Sequence, residues 1–198
     1  MKIIGLTGSI GMGKSTTAML LADEGATVFD ADAVVADLYT HGGAAVEPVG
    51  KAFPGVVREG QIDRDALSAA LRANPSEFKR LEALVHPLVA AARADFFAQS
   101  EARGARFAVL DVPLLFETGL DDHVDAVIVV TAPEDVQRQR VLARAGMNGE
   151  KLDAILARQL PDGEKRKRAD FVVDTSRGIE DARKQVRNIL KQLEDQAR

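Results

Sequence analysis

Short apolar runs recur along this chain at wide intervals, and helical spacing of apolar positions fills most of the sequence between them. The runs are Lys2–Thr7, Thr27–Phe29, Arg106–Leu110, Val124–Val130 and Phe171–Val173. They are continuous and rich in β-branched residues, the pattern of strands covered on both faces by helices. A helix is predicted over Ser15–Glu24, stopped by Gly25, and others begin at Pro133 and at Gly178. Strands alternating with helices predict an α/β chain with a parallel sheet of about five strands in a three-layer α/β/α arrangement. Between the second and third strands almost no strand signal is left. Asp65–Arg72, Ser76–Val85 and Pro87–Arg103 read as helices there, separated by turn chemistry at Phe53-Pro54-Gly55 and Asn74-Pro75. Pro87 suits the first position of a helix, so a helix break before it is one expectation. In the last helix Ile179, Ala182, Val186, Ile189 and Leu193 form one apolar stripe, expected to pack on the sheet.

With 198 residues the chain favours one compact domain carrying inserted lobes. Hydrophobic residues make up 46% and charged residues 28%, a globular composition. The net charge of -4 argues against nucleic acid as the main partner. The absence of cysteine excludes disulfides, thiolate nucleophiles and cysteine metal sites. No window approaches the length of a membrane span, and the first apolar stretch lacks the features of a signal peptide. A cytoplasmic location is therefore expected.

The chemistry begins at Gly8-Ser9-Ile10-Gly11-Met12-Gly13-Lys14-Ser15, a full match to G-x-x-x-x-G-K-[ST]. Glycines let the backbone curl so that successive N–H groups point at phosphate oxygens, and the following helix adds the positive end of its dipole. The expected nucleotide contacts are Gly11, Met12, Gly13, Lys14, Ser15 and Thr16. Lys14 would reach the β- and γ-phosphates, and the Ser15 hydroxyl would ligate Mg²⁺. The motif lies between an apolar strand and a helix, which separates it from an ordinary glycine turn.

A phosphate loop leaves the fate of the phosphate open. A GTPase-like switch would carry a guanine-reading Asn-Lys-x-Asp, which this chain lacks; a phosphotransferase is favoured. Asp30-Ala31-Asp32 falls at the carboxyl end of the second strand, where open α/β sheets bind ligands. A carboxylate there can take a proton from an attacking hydroxyl. Asp30 equally suits a helix cap before Ala33-Val-Val-Ala, which leaves Asp32 the better base candidate.

Gly5-Leu-Thr-Gly-Ser-Ile-Gly-Met-Gly-Lys-Ser15 followed by Asp30-Ala-Asp32 resembles the start of dephospho-CoA kinases. The resemblance continues through Leu84-Val-His86-Pro87, Asp111-Val-Pro-Leu-Leu-Phe-Glu117 and Arg158-Gln159…Glu164-Lys-Arg-Lys-Arg-Ala-Asp170, in order over nearly the whole chain. Two departures stand out. Ser9 occupies a position where the family usually has glycine, and Met12 one where serine is common; a left-handed backbone at Ser9 would bring strain.

The resemblance implies a P-loop NTPase fold and transfer of the γ-phosphate of ATP to the ribose 3′-hydroxyl of dephospho-CoA, with Mg²⁺. It implies Asp32 as base, Lys14, Arg140 and Arg144 as stabilisers of the transferred group, and Thr7, Asp32, His86, Pro87 and Leu115 as acceptor contacts. Asp111 resembles an aspartate that holds Mg²⁺ through water, a role left open. Gln137, Arg140 and Arg144 match the family's Gln-x-x-Arg-x-x-x-Arg at the start of a lid. The expected division is a core over about 1–31, 105–145 and 168–198, a helical acceptor lobe over about 32–104 and a small helical lid over about 146–167. Gly146, Asn148-Gly149 and Asp162-Gly163 would be the lid's flexible edges, and Lys165-Arg-Lys-Arg168 a solvated or phosphate-facing strip. ATP and dephospho-CoA are the expected partners, with no nucleic acid or membrane, and a monomer is favoured over a stable oligomer.

Overall fold

The computed structural model describes residues 1–196. In chain order the elements are β1 (Lys2–Thr7), α1 (Lys14–Asp23), β2 (Thr27–Asp30), α2 (Ala31–Leu38), α3 (Val46–Ala52), β3 (Val57–Arg58), β4 (Gln61–Ile62), α4 (Arg64–Ala73) and α5 (Phe78–Ala102). Then follow β5 (Phe107–Asp111), β6 (Ala126–Thr131), α6 (Glu134–Leu142), α7 (Gly149–Leu156), α8 (Asp162–Arg168), β7 (Phe171–Asp174) and α9 (Ile179–Asp195).

Five strands form one sheet in the order β2-β5-β1-β6-β7. The β1–β5, β1–β6 and β6–β7 pairs are parallel, with Ile4 beside both Val109 and Ala126 and Ile128 beside Phe171. The chain passes from central β1 to β2 and β5 on one side, then crosses to β6 and β7 on the other. That reversal opens a crevice beyond the carboxyl end of β1. Continuous burial matches the unbroken apolar runs: all five residues of β5 are buried, and Ile4, Leu6, Val109, Ile128 and Val130 are wholly so. Leu20 and Leu21 of α1 pack into the same cluster with Val186, Ile189 and Leu193 of α9. Each such side chain contributes roughly 1.5–3 kcal/mol by leaving water. The predicted stripe of α9 therefore packs on the sheet, except that Ile179 at its start is exposed.

The chain divides into two compact units, Met1–Phe29 with the segment from Ser100 onward, and Asp30–Gln99. The second unit has a core of its own, built from Val49, Phe53, Val56, Ile62, Leu67, Leu71 and Val85. Two expectations change there. The helices expected on either side of Pro87 are one continuous helix, α5, with Pro87 inside it. A proline removes one backbone donor and crowds the preceding turn, but Val85 is buried and Leu84, Leu88 and Val89 pack against the same cluster, so the apolar face runs through the proline. The β3–β4 hairpin, whose strands are only two residues each, also carried no legible signal. It turns at Glu59 (φ 50°) and Gly60 (φ 74°), the two left-handed residues a tight hairpin needs.

Candidate active site

At the carboxyl end of β1 the chain enters the loop Gly8–Gly13 and reaches α1 at Lys14. The glycines are required by space and by backbone. A Cβ on Gly8 would stand 2.6 Å from the Val130 carbonyl oxygen, and Gly11 (φ 80°) and Gly13 (φ 95°) are left-handed. Ser9 is not left-handed, since Glu59 is the only non-glycine residue with positive φ among the described residues. Met12 is likewise accommodated: its side chain is buried in the sheet core, so only its backbone is left to face the loop. Helix α1 starts with no side-chain cap and no acidic residue in its first turn. Helices α2 and α4, by contrast, are capped by Asp30 and Asp63. The start of α1 is thus the terminus left open to an anion. Ser15 and Thr16 are exposed there. Lys14 Nζ donates to Asp111 Oδ1 at the end of β5, where Asp111 is almost wholly buried.

The loop is held by side chains from the opposite side of the sheet. Thr175, just beyond β7, donates its hydroxyl to Met12 O at 2.7 Å. Arg140 grips Thr175 with two donors, Nη1 to the hydroxyl at 2.8 Å and Nη2 to the carbonyl at 2.9 Å. Gly11, Gly13, Thr16, Arg140, Arg144 and Thr175 line a cleft of about 340 Å³. The structure therefore brings Gly11, Gly13, Thr16, Arg140 and Arg144 together on one cleft. Arg138 lies apart, exposed and 3.7 Å from Asp153. Thr175 was missed because a lone threonine after a strand carries no sequence signal.

A second cluster lies at the base of the predicted lid. Lys165 is wholly buried; its Nζ donates to Pro113 O at 2.9 Å and pairs with Glu117 Oε1 at 3.0 Å. Glu117 also accepts from Leu160 N at 2.6 Å. Burial works against the charge of Glu117, and hydrogen bonds from the Leu160 N–H, its own N–H and Lys165 outweigh it, leaving the carboxyl below the usual glutamate range. This corrects the reading of residues 165–168 as a solvated or phosphate-facing strip at its first residue only: Lys165 is a structural pin, while Arg166, Lys167 and Arg168 are exposed. Asp162-Gly163 is corrected too. Asp162 opens α8 and accepts from Thr131 Oγ1 at 3.0 Å and Arg166 Nε at 2.8 Å, so this edge is anchored. Gly146 does turn in the left-handed region, and Asn148 caps α7 through Lys151 N at 2.9 Å.

Thr7 and Leu115 are enclosed. The Thr7 hydroxyl donates to Pro113 O at 2.9 Å, and Leu115 fills the space beside Gly5, 2.7 Å from where a Cβ would stand. Both are 0% exposed and offer no surface to an acceptor in this form. In the second unit, Asp30 accepts from Asp32 N at 2.9 Å and Ala33 N at 3.0 Å, the capping role. Asp32 is exposed on the first turn of α2, and among the described residues its carboxylate takes no hydrogen bond or ion pair. His86 and Pro87 are exposed side by side on α5.

Residues 2–181 match the family model described as "Dephospho-CoA kinase". The chain belongs to the dephospho-CoA kinase family. The dephospho-CoA kinase of Rhodopseudomonas palustris strain BisB18 is 58% identical, over 96% of this chain and 94% of that one. That of Agrobacterium fabrum is 53% identical over 98% of each. A solved structure from Thermus thermophilus superposes with a TM-score of 0.84 at 36% identity, covering 97% of both chains. The fold is thus that of the P-loop kinases, with a parallel five-stranded sheet between helices.

Family membership makes the chain a kinase with ATP as co-substrate. The oxygen donors beside Lys14 suit the divalent cation such a reaction uses: the exposed Ser15 hydroxyl and the Asp111 carboxylate are hard ligands of the kind Mg²⁺ takes. Among the described residues no cluster of three acidic or histidine side chains forms a dedicated metal cage. A cation shared with nucleotide phosphates fits that donor set. No helix among the described residues is long and apolar enough to cross a membrane.

Proposed function

We propose that this kinase transfers the γ-phosphoryl group of ATP to the ribose 3′-hydroxyl of dephospho-CoA, giving CoA and ADP, the last step of coenzyme A biosynthesis. The observation that carries the reading is the uncapped phosphate loop with Lys14 against Asp111, in a chain whose family match runs from residue 2 to residue 181.

In this reading the N–H groups of Gly11 to Thr16 bind the phosphates. Lys14 exchanges Asp111 for the β- and γ-phosphate oxygens, where its charge follows the transferred group. Catalysis of this kind rests on positioning and on charge stabilisation. Ser15 and, once Lys14 has moved, Asp111 are the residues that would hold Mg²⁺, which would supply positive charge against the phosphates. Arg140, expected as a stabiliser of the transferred group, has its donors on Thr175 and keeps that turn against the loop instead, and Arg144, exposed in the same cleft, is left to reach phosphate. Asp32 takes the proton of the attacking hydroxyl, a role its unpartnered carboxylate supports. The unit Asp30–Gln99 serves as the acceptor lobe, with His86 and Pro87 as contacts, and residues 146–167 as a lid that excludes water from the transfer. The protein works in the cytoplasm, as a monomer.

Product analysis tests this directly. Incubation with ATP, Mg²⁺ and dephospho-CoA should yield a product one phosphoryl group heavier, with a ³¹P resonance of a ribose 3′-monoester. Phosphate on another position, or equal consumption of ATP with AMP or shikimate in place of dephospho-CoA, would overturn the assignment.

A further inference from the structure

One residue of the phosphate loop, Ile10, has both of its backbone polar groups held by glutamine side chains. Gln137 of α6, itself almost wholly buried, donates Nε2 to Ile10 O at 2.7 Å. Gln159, in the segment joining α7 to α8, accepts from Ile10 N through Oε1 at 3.2 Å. The chemistry fixes which amide atom faces which: a peptide oxygen needs a donor and a peptide N–H an acceptor. The two contacts differ in where they come from. Gln137 belongs to the helix packed behind the loop. Gln159 belongs to the lid segment, and its neighbour Leu160 is tied through its own N–H to Glu117, which the buried Lys165 also holds.

We propose that Gln159 is a positioning residue that couples the lid to the occupancy of the phosphate loop, an inference that rests on the reading of residues 8–15 as the ATP site. Without nucleotide, its neutral carboxamide oxygen satisfies the Ile10 N–H and keeps the loop open in its binding shape. A neutral acceptor is weak enough for an anionic phosphate oxygen to displace it, which makes the Ile10 N–H a phosphate donor in addition to those of Gly11 to Thr16, since hydrogen bonds to charged groups are roughly twice as strong. Once displaced, the same carboxamide still carries two N–H donors that can turn towards the phosphate. Loss of the Ile10 contact frees the lid segment at 159, while the Glu117–Lys165 pin keeps its base in place. Gln159 thus passes the arrival of phosphate to the lid without itself taking part in the transfer.

Substitution by glutamate separates this role from space filling, because size is kept while a negative charge is put against the phosphate cradle. Gln159→Glu should raise the KM for ATP by about tenfold or more, with the KM for dephospho-CoA within twofold. Gln159→Met, which keeps length and removes both acceptor and donors, guards against misfolding of the charged variant. In it the change of hydrogen exchange over residues 149–160 on adding ADP, expected in the natural protein, should be lost. An unchanged KM for ATP in Gln159→Glu, or a retained exchange response in Gln159→Met, overturns the proposal. Lys14→Ala distinguishes the underlying reading: if it abolishes ADP binding while the Gln159 variants behave normally, only the coupling role fails. If it leaves ADP binding intact, the ATP site and the coupling role fail together.

Discussion

Two lysines in this chain each meet a carboxylate, and they do opposite work. Lys14 stands at the open mouth of α1 against Asp111, keeps 15% of its side-chain surface in solvent, and is surrounded by backbone N–H groups with no side-chain cap. Lys165 has no exposed surface, and Glu117 and the Pro113 carbonyl hold it in α8. The difference lies in what else can replace the partner. Around Lys14 a phosphate can take the place of Asp111 and find further donors waiting. Around Lys165 nothing else can reach the ammonium, so the pair is permanent. A lysine–acid contact is therefore a resting state in one place and a fastener in the other, and only the surroundings tell which.

The sharpest way to break this comparison is to remove each charge in turn. Lys14→Met should lower turnover by about 10³-fold, measured at a temperature where circular dichroism shows the variant folded, since donors to developing phosphate charge are worth that much. A variant within tenfold of the natural rate would remove Lys14 from the chemistry. Asp32→Asn should cost about 10²–10³-fold in turnover while ADP binding by calorimetry stays within twofold, the size expected of a general base. Weakened ADP binding instead would make Asp32 part of the nucleotide site. Lys165→Met should show its effect in denaturant unfolding, with a loss of about 2–4 kcal/mol from leaving Glu117 without its buried partner. Its turnover below the melting transition should stay within severalfold. A variant of natural stability with low turnover would reverse the roles assigned to the two lysines.

A smaller effect concerns pH. Glu117 has its folded pKa below the ordinary value, so it binds its proton more weakly in the folded protein than in the unfolded chain. Its contribution is fully present above the unfolded glutamate pKa of roughly 4.3 and is lost as pH falls through the lower folded value. The difference in stability between the natural protein and Glu117→Gln should therefore shrink on acidification below about pH 4.3. A difference that is constant with pH would remove the charged form of Glu117 from the anchor of Lys165.

The same contrast explains how far the sequence could be read. The phosphate loop was legible because every residue type in it answers to backbone geometry: Gly8 has no room for a Cβ, and Gly11 and Gly13 sit where other residues are strained. The sheet was legible because strands buried on both faces leave unbroken apolar runs. The Lys165 cluster was not, because Lys165 in a basic run looks like any solvated charge, and its burial depends on Pro113 and Glu117, some fifty residues away along the chain. The contacts of Gln137, Gln159 and Thr175 belong to the same class, although the two glutamines stand in motifs of the resemblance: their partners are loop backbone atoms brought close only by the fold. Pro87 misled for the opposite reason, since a local rule about prolines was overridden by the apolar face that continues through it on α5.

The initial rate of ADP formation from ATP and Mg²⁺, with and without dephospho-CoA, tests the whole account most directly. The account predicts ADP release that depends on dephospho-CoA, saturates with it, and matches CoA formed mole for mole. ADP release at the same rate without any acceptor would contradict it.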